Sequence, residues 1–193
     1  MTFPAKTLAA ASILATACAN QAINDVRSPH FVLPTSSILT LNETIEIPPH
    51  SLSVSIQNGS VYPSGAVNAY APNCSLRVRH LKDTGQTVEP GTFDIVAVSR
   101  QVDIIPIGDI GGAQLAGPAI TLASGGADDG PSDELYKTLM TLRSSTPSQV
   151  SKVVCQQLDD PGLGQHVTFE EMQITLRPVA DLELPVQSPI RGN

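Results

Sequence analysis

The chain has 193 residues, a net charge of −7, 41% hydrophobic residues and no tryptophan. This acidic balance disfavours nucleic acid and anionic membrane surfaces as partners. About 175 residues remain after removal of a signal segment, which is enough for a single domain with an aliphatic core.

The first 17 residues have the composition of a secretory signal peptide. They contain one cation, Lys6, and no acidic residue, and an apolar run extends from Leu8 to Ala17. The run is too short to span a bilayer. We therefore predict export and exclude residues 1–17 from the fold. Their removal changes the net charge from −7 to −8, because only Lys6 is lost.

Two cleavage sites compete at the end of this segment. The sequence Ala-Thr-Ala-Cys at residues 15–18 resembles a bacterial lipobox, in which Cys18 takes a lipid and becomes the first residue. The sequence Ala-Cys-Ala at residues 17–19 also fits ordinary signal peptidase, which would release a soluble secreted or periplasmic protein.

The cysteine count favours the lipobox. Three cysteines leave one odd thiol in an exported chain, and lipidation of Cys18 leaves Cys74 and Cys155 free to pair. Parity alone does not decide, since cleavage after Ala19 removes Cys18 as well. The alternative for Cys74 and Cys155 is two separately buried thiols.

Lipidation predicts a location and a domain plan. Ala19 after the cysteine resembles the sorting pattern of outer-membrane lipoproteins, so we expect the protein in the bacterial cell envelope, on the outer membrane and facing the periplasm. We predict a tether or linker at residues 18–36, a single β-rich domain at residues 37–185 and a disordered tail at residues 186–193.

The first half of the mature chain is typical of short β-strands. Residues 39–47 keep their apolar side chains on one parity, and residues 51–57 alternate strictly between apolar and polar. We predict that residues 51–57 form a half-buried strand with its serines and Gln57 on the polar face. Asn58-Gly59 then predicts a tight hairpin.

The next apolar stretches predict core strands. Cys74, Leu76, Val78 and His80 share one face, so Cys74 is expected to point into the core. Residues 93–98 and 102–107 have apolar side chains on both faces and predict central strands. Residues 108–132 predict long glycine-rich loops on each side of residues 119–122, and residues 135–142 predict another strand.

The C-terminal part contains one ambiguous stretch and one clear helix signal. Residues 148–157 fit a buried strand, which we favour, although Thr146-Pro147 with Gln149 could also cap a helix. Residues 168–171, Thr-Phe-Glu-Glu, form a capping box for a helix that continues to residue 176, and residues 181–184 predict a last strand. The predicted fold is mainly β, an antiparallel sandwich or partly open barrel with one short C-terminal helix.

Familiar catalytic and phosphate-binding motifs are missing from the sequence. There is no Gly-x-Ser-x-Gly, no Gly-Lys-Ser/Thr after a glycine loop and no Gly-x-Gly-x-x-Gly, so no cofactor is predicted. Asp159, Asp160 and His166 are candidates for a zinc or acid–base site in an unrecognised hydrolase. A turn at residues 159–162 explains the two aspartates better.

A cluster of carboxylates follows the glycine-rich stretch. Asp128, Asp129, Asp133 and Glu134 lie within seven residues and offer the oxygen ligands that Ca²⁺ prefers. Their spacing does not match the Asp-x-Asp-x-Asp-Gly loop, so we predict a solvated acidic turn and no metal site.

Three stretches resemble a little-characterised family of proteobacterial envelope lipoproteins, a domain of unknown function. They are VNAYAPNCSLRV at residues 67–78, VEPGTFDI at residues 88–95 and VCQQLDDP at residues 154–161. The resemblance covers roughly residues 37–178 and implies a β-rich periplasmic domain with a disulfide between Cys74 and Cys155. It implies no activity. The chain departs from the pattern at residues 156–158, where a glycine and an aromatic residue are expected.

The sequence therefore predicts a non-enzymatic structural or interaction domain. It is exported, anchored to a membrane through a lipid on Cys18, and contacts an unknown envelope protein. The alternative is a periplasmic protein that binds a small ligand or a metal at a barrel mouth or at the acidic loop. An unrecognised hydrolase is the third hypothesis.

Overall fold

A computed structural model describes residues 25–106, 132–145 and 148–185 of the chain. The signal segment, Cys18, the glycine-rich stretch with Asp128 and Asp129, and the tail from residue 186 lie outside the described residues.

Within these residues, ten strands and one helix build the domain. The strands are β1 (Ile38–Leu41), β2 (Ile45–Ile47), β3 (Ser53–Gln57), β4 (Ser60–Pro63), β5 (Asn73–Val78), β6 (Gln86–Val88), β7 (Gly91–Pro106), β8 (Ser132–Arg143), β9 (Val150–Asp159) and β10 (Ala180–Glu183), and the helix is α1 (Phe169–Leu176).

Eight of the strands form one antiparallel sheet that curls into a half-barrel. Its strand order is β10-β1-β7-β8-β9-β5-β3-β4, and β2 pairs with β6 in a separate two-stranded sheet. The prediction of a mainly β fold with one short C-terminal helix is confirmed, in its partly open barrel form.

The inner face of the sheet carries the aliphatic core. One row of side chains crosses five neighbouring strands on this face, because each member is the register partner of the next: Ile56, Cys74, Cys155, Thr138 and Arg100. The first four are almost fully buried. The row therefore runs from apolar side chains through the cysteines to a hydroxyl and a guanidinium.

The polar face of β3 is buried, so the prediction of a half-buried strand is wrong. Ser53, Ser55 and Gln57 are each less than 9% exposed. The segment at residues 64–72 covers them, and Gln57 Nε2 donates to the carbonyl oxygens of Asn68 at 2.9 Å and Pro72 at 3.2 Å. Alternation in sequence identified the two faces but did not reveal that a loop folds over the second one.

The two stretches predicted as central strands form the single strand β7, and only its first part is central. β1 pairs with β7 as far as Asp94, whereas β8 pairs with it as far as Pro106. Beyond Asp94, β8 is the one strand of the described residues that pairs with β7, and Val102 and Ile104 are 47% and 65% exposed. Apolar residues on both faces therefore did not mean burial on both faces.

The C-terminal elements follow the predictions. Residues 150–159 form a strand, and Thr168 caps α1 through a complete capping box with Glu171. Asn58 and Gly59 have positive φ values of 51° and 71° in the two-residue turn between β3 and β4, as the Asn-Gly hairpin requires. His80 departs from its predicted place, because β5 ends at Val78 and His80 is exposed.

Residues before position 37, within the stretch predicted as a tether, pack against the core of the domain. Leu33 is 3% exposed and belongs to the core, and Val26 and Phe31 pack against it. Phe31 contacts the Phe169 ring edge-to-face at 6.0 Å. Residues 25–33 are called the docked segment below.

Candidate functional site

The disulfide lies in the middle of the sheet. Cys74 and Cys155 are direct register partners on β5 and β9, their Cα atoms are 4.0 Å apart, and both residues are fully buried. The predicted pairing is therefore present in the structure. It closes a sequence separation of 81 residues and joins strands that already share hydrogen bonds.

Arg100 holds the docked segment against the inner face. Its Nη1 donates to the carbonyl oxygen of Pro29 at 2.7 Å, and its Nη2 donates to that of Phe31. Arg27 adds an ion pair with Glu170 at 3.1 Å. Arg100 forms no ion pair with a carboxylate of the described residues, and burial lowers its pKa. Two backbone carbonyls thus take the place of a counter-ion.

Three buried polar atoms around Arg100 find no hydrogen-bond partner in the described part of the chain. They are Arg100 Nε, Thr138 Oγ1 and His166 Nδ1. Arg100 and Thr138 are register partners, and the His166 ring meets the ring of Tyr136 at 5.5 Å, two residues from Thr138. Unpartnered buried polar groups are uncommon and mark sites where water or a polar ligand binds. We call these three residues the polar cluster.

The environment of His166 favours its neutral form. Burial lowers the pKa of His166, the charge of Arg100 lowers it further, and a hydrogen bond with the backbone of Lys137 acts in the opposite direction. A neutral imidazole has one donor and one acceptor nitrogen. The polar cluster therefore combines a guanidinium donor, a hydroxyl and an imidazole.

The weak candidates for calcium ligands, Asp133 and Glu134, lie on β8, and Asp133 is 2% exposed, so the prediction of a solvated acidic turn is wrong for these two residues. Asp133 and Glu134 are neighbours on β8, so they point to opposite faces of the sheet. Asp133 accepts a hydrogen bond from Tyr70 Oη, and Glu134 accepts one from Tyr136 Oη. The bond from Tyr136 lowers the pKa of Glu134. These two residues thus serve two different tyrosines, and Asp128 and Asp129 lie outside the described residues.

Asp159, Asp160 and His166 do not assemble into an acid–base site. No hydrogen bond in the described part of the chain joins His166 to either aspartate, and Asp159 Oδ1 accepts from the amide of Asp160. Leu163 N donates to the carbonyl of Asp160, as expected of the predicted turn. Among the described residues, no group of three His, Cys, Asp or Glu side chains is placed to hold a metal ion.

A cleft of about 260 Å³ lies at the first residues of β7, away from the polar cluster. Its lining includes Thr87, Glu89, Phe93 and Gln149. Pockets that enclose a small molecule usually measure about 300–1,000 Å³ and are mostly apolar. The small size and mixed lining of this cleft do not favour a ligand site there.

No protein family, curated protein or solved structure matches this chain. The resemblance to envelope lipoproteins therefore depends on the three sequence stretches alone. In the residues that the structure describes, no helix is long and apolar enough to cross a membrane.

Sequence patterns identified the cysteines but missed Arg100. The signal was present, because Val98, Arg100 and Val102 share one parity of an otherwise apolar face. A cation in such a row predicts a partner that shields it. The partner is the docked segment, which belongs to the stretch predicted as a tether or linker, residues 18–36.

Proposed function

We propose that this protein is an exported, non-enzymatic interaction domain, held on the periplasmic side of a bacterial outer membrane by a lipid on Cys18. Its partner in this proposal is another component of the envelope. The signal-like segment and the lipobox-like sequence supply the address.

The disulfide carries the proposal. Disulfides persist in oxidising compartments such as the periplasm and are rare in the cytosol. Because Cys74 and Cys155 pair with each other, Cys18 is left as the third cysteine, at the position that lipobox cleavage requires. With Cys18 lipidated and Cys74 paired with Cys155, each of the three cysteines of the chain has a role.

Labelling of cells with a clickable palmitate analogue tests the anchor. The wild-type protein should take up the label, and the Cys18→Ala variant should lose it. The Cys74→Ala/Cys155→Ala variant is the matched control and should keep the label, because it retains the lipobox. An unlabelled wild-type protein, or a labelled Cys18→Ala variant, would exclude lipidation of Cys18.

The non-enzymatic part of the proposal requires a separate experiment. Purified protein is incubated with panels of esters, peptides, phosphate esters and glycans, and products are detected by mass spectrometry. We expect no turnover above that of a heat-denatured sample. Turnover that depends on His166 would support the hydrolase hypothesis instead.

A second candidate function is the binding of a small polar molecule at the polar cluster. The observation that favours it is a group of three buried polar atoms without a hydrogen-bond partner among the described residues. Two belong to the register partners Arg100 and Thr138, and the third belongs to His166, whose pKa the charge of Arg100 lowers. A ligand of the native state raises the unfolding temperature in proportion to the logarithm of its concentration. Thermal unfolding against a panel of carboxylates, phosphates and polyols should show such a shift, and Thr138→Val should abolish it.

A further inference from the structure

The docked segment shortens the reach of the anchor. Residues 18–36 as a free tether would extend about 65 Å at most between Cys18 and β1, at about 3.5 Å per residue. The contacts of Val26, Arg27, Pro29 and Phe31 fix the chain to the domain much earlier. Val26 is eight positions after Cys18, and eight Cα–Cα steps span about 28 Å at most, whatever the conformation of the chain.

The point of attachment also selects one end of the domain. Arg100 lies level with Cys74 and Ile56, close to where β5 begins and β3 ends. The helix α1 lies at the same end, since the amide of Gly59, in the turn after β3, donates to the carbonyl of Thr175 at 3.0 Å. The segment between β5 and β6, with Asp83, is at the opposite end of these strands.

We propose that the end formed by the docked segment and α1 faces the membrane that holds the lipid, and that it contacts the headgroup layer of that membrane. The inference rests on the proposed lipidation of Cys18. A domain of this size has a diameter of about 40 Å, so a tether of at most about 28 Å prevents this end from pointing away from the membrane, where it would lie about 40 Å above the lipid surface.

Three exposed apolar side chains at this end are available for the contact. Val32 in the docked segment, Leu163 in the turn before α1 and Ile174 on α1 are 53%, 74% and 62% exposed, whereas the segment with Asp83 at the opposite end has one such side chain, Leu81, at 56%. Apolar side chains of this kind enter the interfacial region of a bilayer. Carboxylates of Glu134, Asp159 and Asp160 at this end do not attract an anionic surface. The contact therefore depends on the anchor and on apolar side chains, and added salt should leave it intact.

Energy transfer to labelled lipids measures the orientation. The lipidated protein is purified with its anchor and reconstituted into liposomes of phosphatidylethanolamine and phosphatidylglycerol that carry a headgroup acceptor dye. A donor dye is attached through an unnatural amino acid at Ile174, on α1, or at Asp83, whose side chain is 95% exposed at the opposite end. We expect strong transfer from position 174 and weak transfer from position 83, unchanged when salt is raised.

A variant with eight Gly and Ser residues inserted between Asn24 and Asp25 doubles the tether without changing the docked segment. This insertion should reduce the difference in energy transfer between the dyes at positions 174 and 83. Equal transfer from both positions in the parent protein, or an orientation that the insertion leaves unchanged, would overturn the inference. The mass of the reconstituted protein is measured in parallel. A sample that carries no lipid contradicts the proposed function, whereas a lipidated sample with equal transfer contradicts only the orientation.

Discussion

Two turn glycines with similar backbone conformations, Gly59 and Gly162, differ in how closely other residues pack around them. Gly59 and Gly162 both have positive φ values, of 71° and 75°. A Cβ atom on Gly59 would lie 2.0 Å from the carbonyl oxygen of Arg177, whereas a Cβ atom on Gly162 would meet nothing within 4 Å. Gly59 therefore serves both the hairpin turn and its close packing against the end of α1.

We predict that Gly59→Ala destabilises the domain more than Gly162→Ala does. The second substitution has only the backbone cost of about 1–2 kcal/mol for a non-glycine residue at positive φ. The first has this cost and must also displace the backbone at Arg177. Urea denaturation of the two variants measures the difference. Equal losses of unfolding free energy would show that the contact with Arg177 is relieved without cost.

His166 gives the stability of the domain a defined pH dependence. Burial, and then the charge of Arg100, lower its pKa in the folded state, so the unfolded chain binds a proton more readily. The contribution of His166 to the free energy of unfolding is therefore fully present above its unfolded pKa of about 6.5. This contribution is lost as the pH falls from there to the lower pKa of the folded state. Below that value this contribution stays constant.

Replacement of His166 by Gln should remove this part of the pH profile. Unfolding free energies are measured in urea at a series of pH values between about 7.5 and 5, the range that includes the ordinary pKa of histidine. The exposed Gln101, which does not titrate, provides the control, and Gln101→Ala should leave the slope unchanged. A wild-type protein that is equally stable across this range would contradict the assignment.

Most elements of the fold could be predicted from local patterns, and the failures arise from tertiary contacts. The capping box, the Asn-Gly turn and the buried strand at residues 150–159 depend on neighbours in sequence, and each was predicted correctly. Burial of Gln57 and docking of residues 25–33 depend on segments that return from elsewhere in the chain. No local pattern contains that information. Arg100 had a local signal, a cation in an apolar row, but its position beside Thr138 and His166 depends on tertiary contacts of this kind.

We predict that the side chain of Gln57 stabilises the packing of residues 64–72 against β3. Its Oε1 accepts from the amide of Asn68 at 3.1 Å, and its Nε2 donates to carbonyls of the same segment. Gln57→Ala leaves these groups unpaired under a buried strand, and we expect a loss of about 2–3 kcal/mol. Gln101→Ala, at an exposed position of β7, should change stability by less than about 0.5 kcal/mol. Similar effects of the two substitutions in urea denaturation would show that water replaces Gln57.

At the scale of the whole molecule, one covalent bond closes most of the domain. The disulfide joins Cys74 to Cys155 across a sequence separation of 81, and the chain-entropy relation gives about 4.5 kcal/mol for a loop of this length. Typical domains have only about 5–15 kcal/mol of total stability. The bond therefore suits a domain with no tryptophan and a small aliphatic core.

The Cys74→Ala/Cys155→Ala variant should lose about 4.5 kcal/mol of unfolding free energy. Because both cysteines are fully buried, dithiothreitol should reduce the wild-type bond only when urea is present. Thiol titration with and without urea measures this protection. Rapid reduction of the folded protein would show that β5 and β9 separate easily, contrary to their central position in the sheet.

The intact mass of the mature protein, extracted from membranes without reductant, tests the proposed lipid anchor and the disulfide together. We expect a chain that begins at Cys18, carries a diacylglycerol group on that residue, and is two hydrogens lighter than the reduced form because Cys74 and Cys155 are paired. A chain that begins at Asn20 without a lipid would contradict the anchor. A mass equal to that of the fully reduced form would contradict the disulfide.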